Sequence, residues 1–340
     1  MLEGHGDDGY RFNQPLKADF STNVYYGGTP AGLKEHLFSA WEKVQRYPEV
    51  LGESLTQKIA AYHELSAGQV LVTNGSTESI YLIAQAFKNS RSAVVIPSFS
   101  EYEDACRMYA HDLQFVAWED IKPGYKTDAV LLFICNPNNP TGCVVTDLEH
   151  FVSVNSNTLF VVDEAFIEFT SSIGSLLRLT SKYNNLLVLR SMTKAYAIPG
   201  LRLGYIAGHS NLMSFLRKFK LPWSVNAMAL EAGHFIFDNL ANLQLPLQQL
   251  LAGRAEFAAG IAALDFRVFA SHTHFFLAET PIFKAAELKL YLLENHQLLI
   301  RDAGNFRGLS ARHFRVAALT PSKNKLLINA LAKWKHTSSL

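Results

Sequence analysis

Between residues 69 and 208, short continuous apolar runs alternate with longer amphipathic stretches. The run 69–75 predicts a strand, and 76–87 predicts a helix whose apolar side chains share one face: Ile80, Ile83, Ala84 and Phe87. Five more apolar runs predict strands: 92–97, 129–137, 158–166, 185–191 and 201–208. Because most of these runs do not alternate with polar residues, we expect strands covered on both faces in a doubly wound, mostly parallel α/β sheet.

The pattern changes after residue 221. One long helical stretch over about 227–264 comes first. The segments beyond it predict an antiparallel sheet with two more helices: strands 266–271, 274–279, 297–303 and 314–319, a helix near 284–295 and a final helix. We therefore predict a large α/β domain over residues 46–225, and a smaller α+β domain formed by residues 1–45 with 226–340.

Composition narrows the class of protein. The 340 residues are 49% hydrophobic and 18% charged, which is typical of a well-packed globular chain. Thirty-one basic and thirty acidic residues leave a net charge of +1, which argues against nucleic-acid binding. The polar N-terminus and the lack of an apolar run of about 18 residues predict neither a secretory signal nor a membrane span.

The chain has three cysteines, Cys106, Cys135 and Cys143. They lack the spacing of metal ligands, and their odd number argues against a disulfide framework. We therefore predict no metal site and expect a cytoplasmic protein.

The segment 189–205, LRSMTKAYAIPGLRLGY, places one lysine among hydroxyl groups. Lys194 follows Ser191 by three residues and Thr193 by one, and Arg202 lies eight residues further on. A lysine whose surroundings lower its pKa forms Schiff bases with carbonyl compounds, and the best-known carbonyl cofactor held in this way is pyridoxal phosphate. The segment therefore suggests that cofactor.

Pyridoxal phosphate needs several partners, and the sequence offers a candidate for each. Its phosphate needs helix N-terminal amides, hydroxyls and an arginine, and the candidates are Gly75, Ser76, Thr77, Ser191 and Arg202. Its ring nitrogen needs a carboxylate, for which Asp163 ends an apolar strand where ligands of parallel sheets bind. Asn139 is the candidate donor to the phenolic oxygen, and Tyr102 is the candidate stacking ring.

Each of these residues alone also has an ordinary structural interpretation. Lys194 would be a surface lysine, Asp163 a loop cap and Tyr102 a core aromatic residue. Asn139 would be a turn residue before Pro140. Their combination favours the cofactor site.

The order of the motifs TNGSTES, FSEY, NPNNPTG, VVDEAF, SMTKAYAIPGLRLGY and FRVA resembles the class I/II aminotransferase family of fold type I pyridoxal-phosphate enzymes. The similarity covers nearly the whole chain and is strongest to the histidinol-phosphate aminotransferase branch. The segments HGDDGY, RYPE, LPWSVNA and LLIRDAGNFRGL are most similar to the L-threonine-O-3-phosphate decarboxylases. The resemblance implies a pyridoxal-phosphate enzyme with the two-domain architecture described above.

The resemblance also assigns roles at the cofactor. Lys194 matches the Schiff-base lysine and proton carrier, Asp163 the partner of the pyridinium, and Asn139 the residue bonded to the phenolic oxygen. Tyr102 matches the stacking ring. The remaining cofactor residues match a phosphate cup: Ser76, Thr77, Ser191 and Arg202.

A homodimer and a substrate pocket are implied as well. Tyr47, in RYPE, matches a tyrosine that reaches the cofactor phosphate of the other subunit. Arg315 matches the arginine that receives a substrate carboxylate, and Arg301 faces the phosphate end of the substrate. Three further residues match those that close the entrance: Asn23, His5 and Gly6.

Two positions depart from the family pattern. Phe166 stands where many relatives have a tyrosine that donates to the phenolic oxygen. His274 stands where relatives often have an asparagine, which bears on the substrate pocket. Arg307 and Arg312 lack the strand-like setting of the two substrate arginines and are expected to be solvated.

The reaction has two candidates. We expect decarboxylation of O-phosphothreonine, a small phosphorylated amino acid, to give aminopropanol phosphate for cobalamin assembly. The alternative is an aminotransferase that acts on histidinol phosphate with 2-oxoglutarate. The same residues serve both reactions, because the bond that breaks is the one held perpendicular to the cofactor ring.

Two other classes fit the sequence poorly. A DNA-binding regulator would need a winged helix, for which the family-like segments leave no room. A Rossmann dehydrogenase would need G-x-G-x-x-G opening a helix after the first strand.

Overall fold

Two larger sheets and one strand pair organise the fold. The computed structural model describes Gly6, residues 8–12 and residues 15–337; for residues 336 and 337 it describes the backbone only. The strands are β1 (Ala18–Asp19), β2 (Val70–Thr73), β3 (Arg91–Ile96), β4 (Asp112–Ala117), β5 (Leu131–Cys135), β6 (Leu159–Asp163), β7 (Leu186–Ser191), β8 (Gly204–Gly208), β9 (Arg267–Val268), β10 (Phe275–Glu279), β11 (Leu298–Leu299), β12 (Arg301–Asp302) and β13 (His313–Ala317). The α-helices are α1 (Leu33–Ser39), α2 (Glu53–Tyr62), α3 (Gly75–Ala86), α4 (Glu101–Met108), α5 (Leu148–Val154), α6 (Ser210–Arg217), α7 (Ala227–Asn239), α8 (Leu247–Ala262), α9 (Ala285–His296) and α10 (Pro321–Thr337). None of these described helices is long and apolar enough to cross a bilayer.

The seven-stranded sheet is covered by helices on both faces. Its strand order is β2-β8-β7-β6-β5-β3-β4, and only β8 runs antiparallel to its neighbours. Successive residues of one strand enter opposite cores, as Leu132 and Phe133 of β5 do. Helices α2, α5 and α7 cover one face, while α3, α4 and α6 cover the other. The predicted doubly wound α/β arrangement is therefore confirmed.

The second sheet is antiparallel, with strand order β12-β13-β10-β9. Helices α8, α9 and α10 cover it and form a separate apolar core with residues such as Phe276, Phe314 and Leu292. The short strand β1 pairs with β11 beside this core, so the chain's first described strand lies with its last third. This pairing places Ser21 and Asn23 next to the second sheet.

Several elements differ from the sequence-based expectation, among them strand β4 and the helical stretch 227–264. Strand β4 was not predicted, because it lies at the sheet edge and mixes polar with half-exposed apolar residues. The single helix expected over 227–264 is two helices, α7 and α8. Pro246 immediately precedes α8, and an interior proline would remove a helical hydrogen bond and clash with the preceding turn.

Helices α1 and α7 pack against each other near the larger sheet. Leu33 and Leu230 belong to the apolar core of that sheet. These helices fall within 1–45 and 226–340, which were expected to form the smaller domain. The division of the chain into domains stays a prediction.

The carboxyl edge of the larger sheet gathers the motifs. Strands β2, β3, β5, β6 and β7 end there, and antiparallel β8 begins there, with Gly204 opposite both Thr73 and Ser191. A Cβ atom at Gly204 would lie 2.8 Å from the amide nitrogen of Ser76. Only glycine allows this close approach of backbones, so the start of β8 fixes the first turn of α3.

A half-buried histidine makes the fold sensitive to acid. The hydroxyl of Tyr205 lies 2.8 Å from Nε2 of His63. Burial, together with Arg190 and Arg178, lowers the pKa of His63 from 6.5 to about 4. The unfolded chain therefore binds this proton at a higher pH than the folded chain does, so stability is lost as the pH falls from about 6.5 towards 4.

We expect His63→Gln, which keeps a polar partner for Tyr205 but does not titrate, to flatten this dependence. Its free energy of unfolding, measured with urea, should fall less than that of the wild type between neutral pH and pH 4, by up to about 3 kcal/mol. His150→Gln, at an exposed position, is the control and should follow the wild type. Parallel losses in His63→Gln and the wild type would contradict the assignment.

Candidate active site

Most of the predicted site residues line one cavity of about 240 Å³ at the carboxyl edge of the larger sheet, here called the cofactor cavity. Those that line it are Gly6, Asn23, Ser76, Thr77, Tyr102, Asn139, Asp163, Ser191, Lys194, Arg202 and Arg315. Gly75 adjoins it at the start of α3. The fold thus brings residues from distant parts of the chain together, while their individual roles stay predictions.

The proposed phosphate cup has little spare space around its arginine. Gly75 has a backbone φ of +73°, and a Cβ atom there would lie 2.5 Å from Nη2 of Arg202. The guanidinium donates from Nη1 to the carbonyl of Pro199 at 3.0 Å, and the hydroxyls of Ser191 and Thr193 lie 2.8 Å apart beside it. An arginine, hydroxyl groups and the first turn of a helix are the donors that a phosphate requires.

Asp163 is buried at the end of β6. Its Oδ2 accepts a hydrogen bond from the hydroxyl of Tyr102 at 2.8 Å, and its Oδ1 accepts one from the amide of Ala165 at 2.9 Å. Burial raises the pKa of Asp163, while the bonds from Tyr102 and Ala165 and the charge of Lys194 lower it. A buried carboxylate in a cavity favours a cationic partner, which the protonated ring nitrogen of pyridoxal phosphate would supply.

Asn139 and Arg315 connect the two sheets. Nη1 of Arg315 donates to Oδ1 of Asn139, and Nη2 donates to the carbonyl of Ser21. With its oxygen engaged, Asn139 has its amide nitrogen as the remaining donor for a ligand. The amide of Asn23 is buried in the cavity wall, and neither of its polar atoms has a hydrogen-bond partner among the described residues. A buried amide of this kind favours a polar ligand.

A second cavity of about 530 Å³ adjoins the first and is here called the anion cavity. Gly6, Phe99, Asn139 and Arg315 line both cavities. Three arginines of the segment from β12 to β13 line the anion cavity: Arg301, Arg307 and Arg315. Arg307 is exposed, as expected of a solvated arginine, but it also lines the anion cavity, which was not predicted. Its place near two substrate-arginine candidates in sequence was the signal for this.

The two buried arginines lack a direct carboxylate partner in the part of the chain that the structure describes, although the charges of Asp302 and Asp8 raise the pKa of Arg301 and that of Asp19 raises the pKa of Arg315. Arg301 donates to the carbonyl of Asp302 and, at 2.8 Å, to Oδ1 of Asn305. Neither Arg301 nor Arg315 forms an ion pair with a carboxylate of the described residues. Burial lowers the pKa of Arg301 to about 10 and that of Arg315 to about 9, so both remain charged at neutral pH. Buried cations in this setting require an anion.

Tyr102 lies in a different environment from the one expected of a stacking ring. It is fully buried, its ring stacks on Phe133 at 5.7 Å, and its hydroxyl serves Asp163. Phe99, three residues earlier, lines both cavities and is the better candidate for the ring that faces a ligand. The sequence signal for Phe99 is its position in the loop directly after β3, at the carboxyl edge.

The remaining predicted residues lie apart from the cofactor cavity. Tyr47 is 84% exposed and contacts Trp223, with ring centroids 5.2 Å apart. Arg301 lies in the anion cavity instead. His5 falls outside the described residues, but Gly6 is placed against Ser21 and Arg315.

The two departures from the family pattern lie close together. The ring of Phe166 packs edge-on against Phe275 at 4.9 Å, and His274 stacks on Phe169 at 3.9 Å. His274 lies 3.2 Å through Nε2 from the carbonyl of Asn23. Burial lowers the pKa of His274 to about 3, so the ring is neutral and Nε2–H is the donor.

Gly75→Ala tests the phosphate cup. The new methyl group would displace the guanidinium of Arg202, so we expect pyridoxal phosphate to bind about tenfold more weakly, as follows from the loss of one charged hydrogen bond. Equilibrium dialysis measures the affinity. Gly174→Ala, where no atom lies within 4 Å of the new Cβ, is the control. Equal affinities in the two variants would contradict this assignment.

Comparison with known proteins agrees with the geometry. The family model described as aminotransferase class I and II matches residues 16–331. Threonine-phosphate decarboxylase of Salmonella typhimurium is 32% identical over 330 residues, covering 92% of this chain and 90% of the relative.

Solved structures show the same fold. L-threonine-O-3-phosphate decarboxylase from Porphyromonas gingivalis superposes with a TM-score of 0.91 at 38% identity, covering 94% of this chain and 99% of that chain. Histidinol-phosphate aminotransferase from Sinorhizobium meliloti, solved with pyridoxal-5'-phosphate, has a TM-score of 0.82 at 17% identity, covering 96% and 92%.

These matches confirm the predicted resemblance and fold class, and the match to this family confirms the predicted pyridoxal phosphate cofactor. A single family model spans the residues of both sheets and, except for Gly6, the residues that line both cavities. The chain belongs to the class I and II aminotransferase family.

Proposed function

We propose that this protein is a pyridoxal-phosphate enzyme that decarboxylates O-phosphothreonine to 1-amino-2-propanol phosphate and carbon dioxide. The observation that carries the proposal is the anion cavity, with Arg301 and Arg315 buried and charged beside the cofactor cavity. Relatives of similar length named threonine-phosphate decarboxylase support it. The product is the compound whose use in cobalamin assembly the family resemblance implies.

Charge matching supports a phosphorylated substrate. O-phosphothreonine carries a phosphate and a carboxylate, and two buried guanidinium groups offer paired donors for such oxygens. Arg301 and Arg315 face each other across β12 and β13, so an anion between them would offset their mutual repulsion. An uncharged substrate tail would leave both cations unpaired.

Five residues have distinct tasks in this proposal. Bound pyridoxal phosphate supplies an electron sink for the pair of electrons left when carbon dioxide departs. Asp163 holds the positive charge of the cofactor ring, and Asn139 holds its phenolic oxygen. Arg315 and Arg301 bind the acidic groups of the substrate and fix its orientation, while Nζ of Lys194 returns a proton to Cα.

Assays of the purified protein loaded with pyridoxal phosphate test the reaction. With O-phosphothreonine we expect carbon dioxide release that does not depend on a keto acid. Lys194→Ala should lower the rate by about 100-fold or more, the usual contribution of a positioned proton donor. Glutamate formation from histidinol phosphate and 2-oxoglutarate, without carbon dioxide release, would support the alternative aminotransferase and contradict the proposal.

A homodimer is the second part of the proposal. Aromatic side chains of residues 38–47 are exposed: Phe38 by 64%, Trp41 by 55% and Tyr47 by 84%. An apolar groove of about 460 Å³ lies between α1 and the segment 197–201, which leads to Arg202. Exposed apolar surface of this kind favours a protein partner, and a second copy of the chain would bring Tyr47 of the partner subunit to the phosphate cup.

Subunit complementation tests this arrangement. Mixed dimers of Tyr47→Phe and Lys194→Ala subunits contain one site with an intact Lys194 and an intact tyrosine from the other subunit. We therefore expect the mixture to exceed the activity of either variant alone. A mixture of Arg301→Gln and Lys194→Ala is the control and should show no such gain, because both residues belong to one subunit's site. Absence of complementation with Tyr47→Phe would exclude the shared site.

The free thiols of Cys106, Cys135 and Cys143 support the proposed cytoplasmic location, since this compartment keeps cysteines reduced.

A further inference from the structure

Arg307 occupies the rim of the anion cavity, held by a carboxylate from the other side of the opening. Its Nε donates to Oε2 of Glu103 at 2.9 Å, and its Nη2 donates to Oε1 at 2.7 Å. The guanidinium also lies 4.1 Å above the ring of Phe115. Glu103 belongs to α4 on the larger sheet, whereas Arg307 follows β12 of the smaller one, so this fork-shaped pair spans the mouth of the cavity.

The pair is half open to solvent. The Arg307 side chain is 46% exposed and the Glu103 side chain 21% exposed. Glu103 also accepts a hydrogen bond from Nε of Arg107, four residues along α4, at 2.8 Å. An exposed ion pair of this kind contributes little to stability because water screens it. The same exposure lets an incoming anion compete for the arginine.

Glu103 cancels the charge of Arg307 in the structure as described. Arg301 and Arg315 have no such carboxylate among the described residues. The cavity therefore offers two buried guanidinium groups without a direct carboxylate contact from the described residues, and one exposed guanidinium group that Glu103 restrains. A phosphate dianion has three oxygens that can accept bonds, more than one arginine can satisfy.

We propose that Arg307 is a specificity-determining residue that binds the phosphate of the substrate, and that Glu103 restrains it until that phosphate arrives. The inference rests on the proposed function, because it assumes a phosphorylated substrate in the anion cavity. Phosphate exchanges for the Glu103 carboxylate on Arg307, while Arg107 continues to bind Glu103. Substrates that lack a phosphate would leave the Glu103–Arg307 pair intact.

Two variants that break the same ion pair separate this role from a structural one. If Arg307 binds the phosphate, Arg307→Gln should raise KM for O-phosphothreonine about tenfold with little change in kcat, as loss of one charged hydrogen bond predicts. Glu103→Gln frees the arginine and should lower KM by about threefold, the scale of an exposed ion pair. If the ion pair only connects α4 with the segment between β12 and β13, both variants should raise KM by a similar factor. That outcome would overturn the proposal.

A double variant and a matched control complete the test. Glu103→Gln/Arg307→Gln should behave like Arg307→Gln, since Glu103 acts through Arg307; a lower KM in the double variant would overturn that link. Arg312→Gln is the control, because Arg312 is also 46% exposed and pairs with Glu279 on the same sheet but does not line the cavity. We expect its KM to match that of the wild type.

Binding of inorganic phosphate tests the role of Arg307 independently of the proposed reaction. Calorimetry with the cofactor-loaded protein should give weaker phosphate binding for Arg307→Gln and tighter binding for Glu103→Gln, whatever reaction the enzyme catalyses. If O-phosphothreonine is not decarboxylated but phosphate affinities change in this way, the proposed reaction falls and the role of Arg307 stands. Unchanged phosphate affinity in both variants overturns the role of Arg307 even if decarboxylation is observed.

Discussion

Two like charges face each other at the junction of the two sheets, and the organisation of the site follows from them. Arg301 and Arg315 are directly opposite in the pairing of β12 with β13, and both are buried. Like charges at such positions destabilise a sheet, and burial adds the cost of removing each guanidinium from water. The lowered pKa of Arg315, caused first by burial and next by Arg301, reflects both effects. An anionic ligand offsets this cost. The free energy that the two charges cost the unliganded fold is therefore recovered when the ligand binds, and this favours binding.

The larger sheet supplies the other half of the site for a topological reason. Parallel strands direct their carboxyl ends to one edge. The strand ends and the segments that follow them carry Ser76, Asn139, Asp163 and Lys194. Arg315 then connects the two halves through its hydrogen bond to Asn139. A ligand that engages Asn139 and Arg315 therefore contacts elements of both sheets at once.

The central strands could be predicted from the sequence because burial on both faces leaves continuous apolar runs. The site residues at the ends of these strands and just beyond them could be predicted too, since cofactor chemistry restricts the residue types, as at Asp163 and Lys194. Strand β4 was not predicted because an edge strand keeps polar residues. The break between α7 and α8 was not predicted because the helical pattern of apolar residues continues on both sides of Pro246.

Side-chain environments could not be predicted in the same way. Tyr102 and Phe99 are three residues apart, and only tertiary packing decides which ring faces the cavity and which hydroxyl reaches Asp163. The carboxylate that holds Arg307 comes from Glu103, more than 200 positions earlier. Pairings at such separation leave no local sequence pattern, which is why the place of Arg307 beside the anion cavity was not predicted.

The departures at Phe166 and His274 form one wall rather than two independent changes. Both rings contact Phe275, and the guanidinium of Arg315 lies 5.7 Å from that same ring. A tyrosine at position 166 would add a hydroxyl to this apolar wall, whereas phenylalanine keeps it free of polar groups. Neutral His274 meanwhile holds the peptide of Asn23 without adding a positive charge beside Arg315. The wall thus leaves Arg315 with fewer competing polar groups, which strengthens its attraction for an anionic group of the substrate.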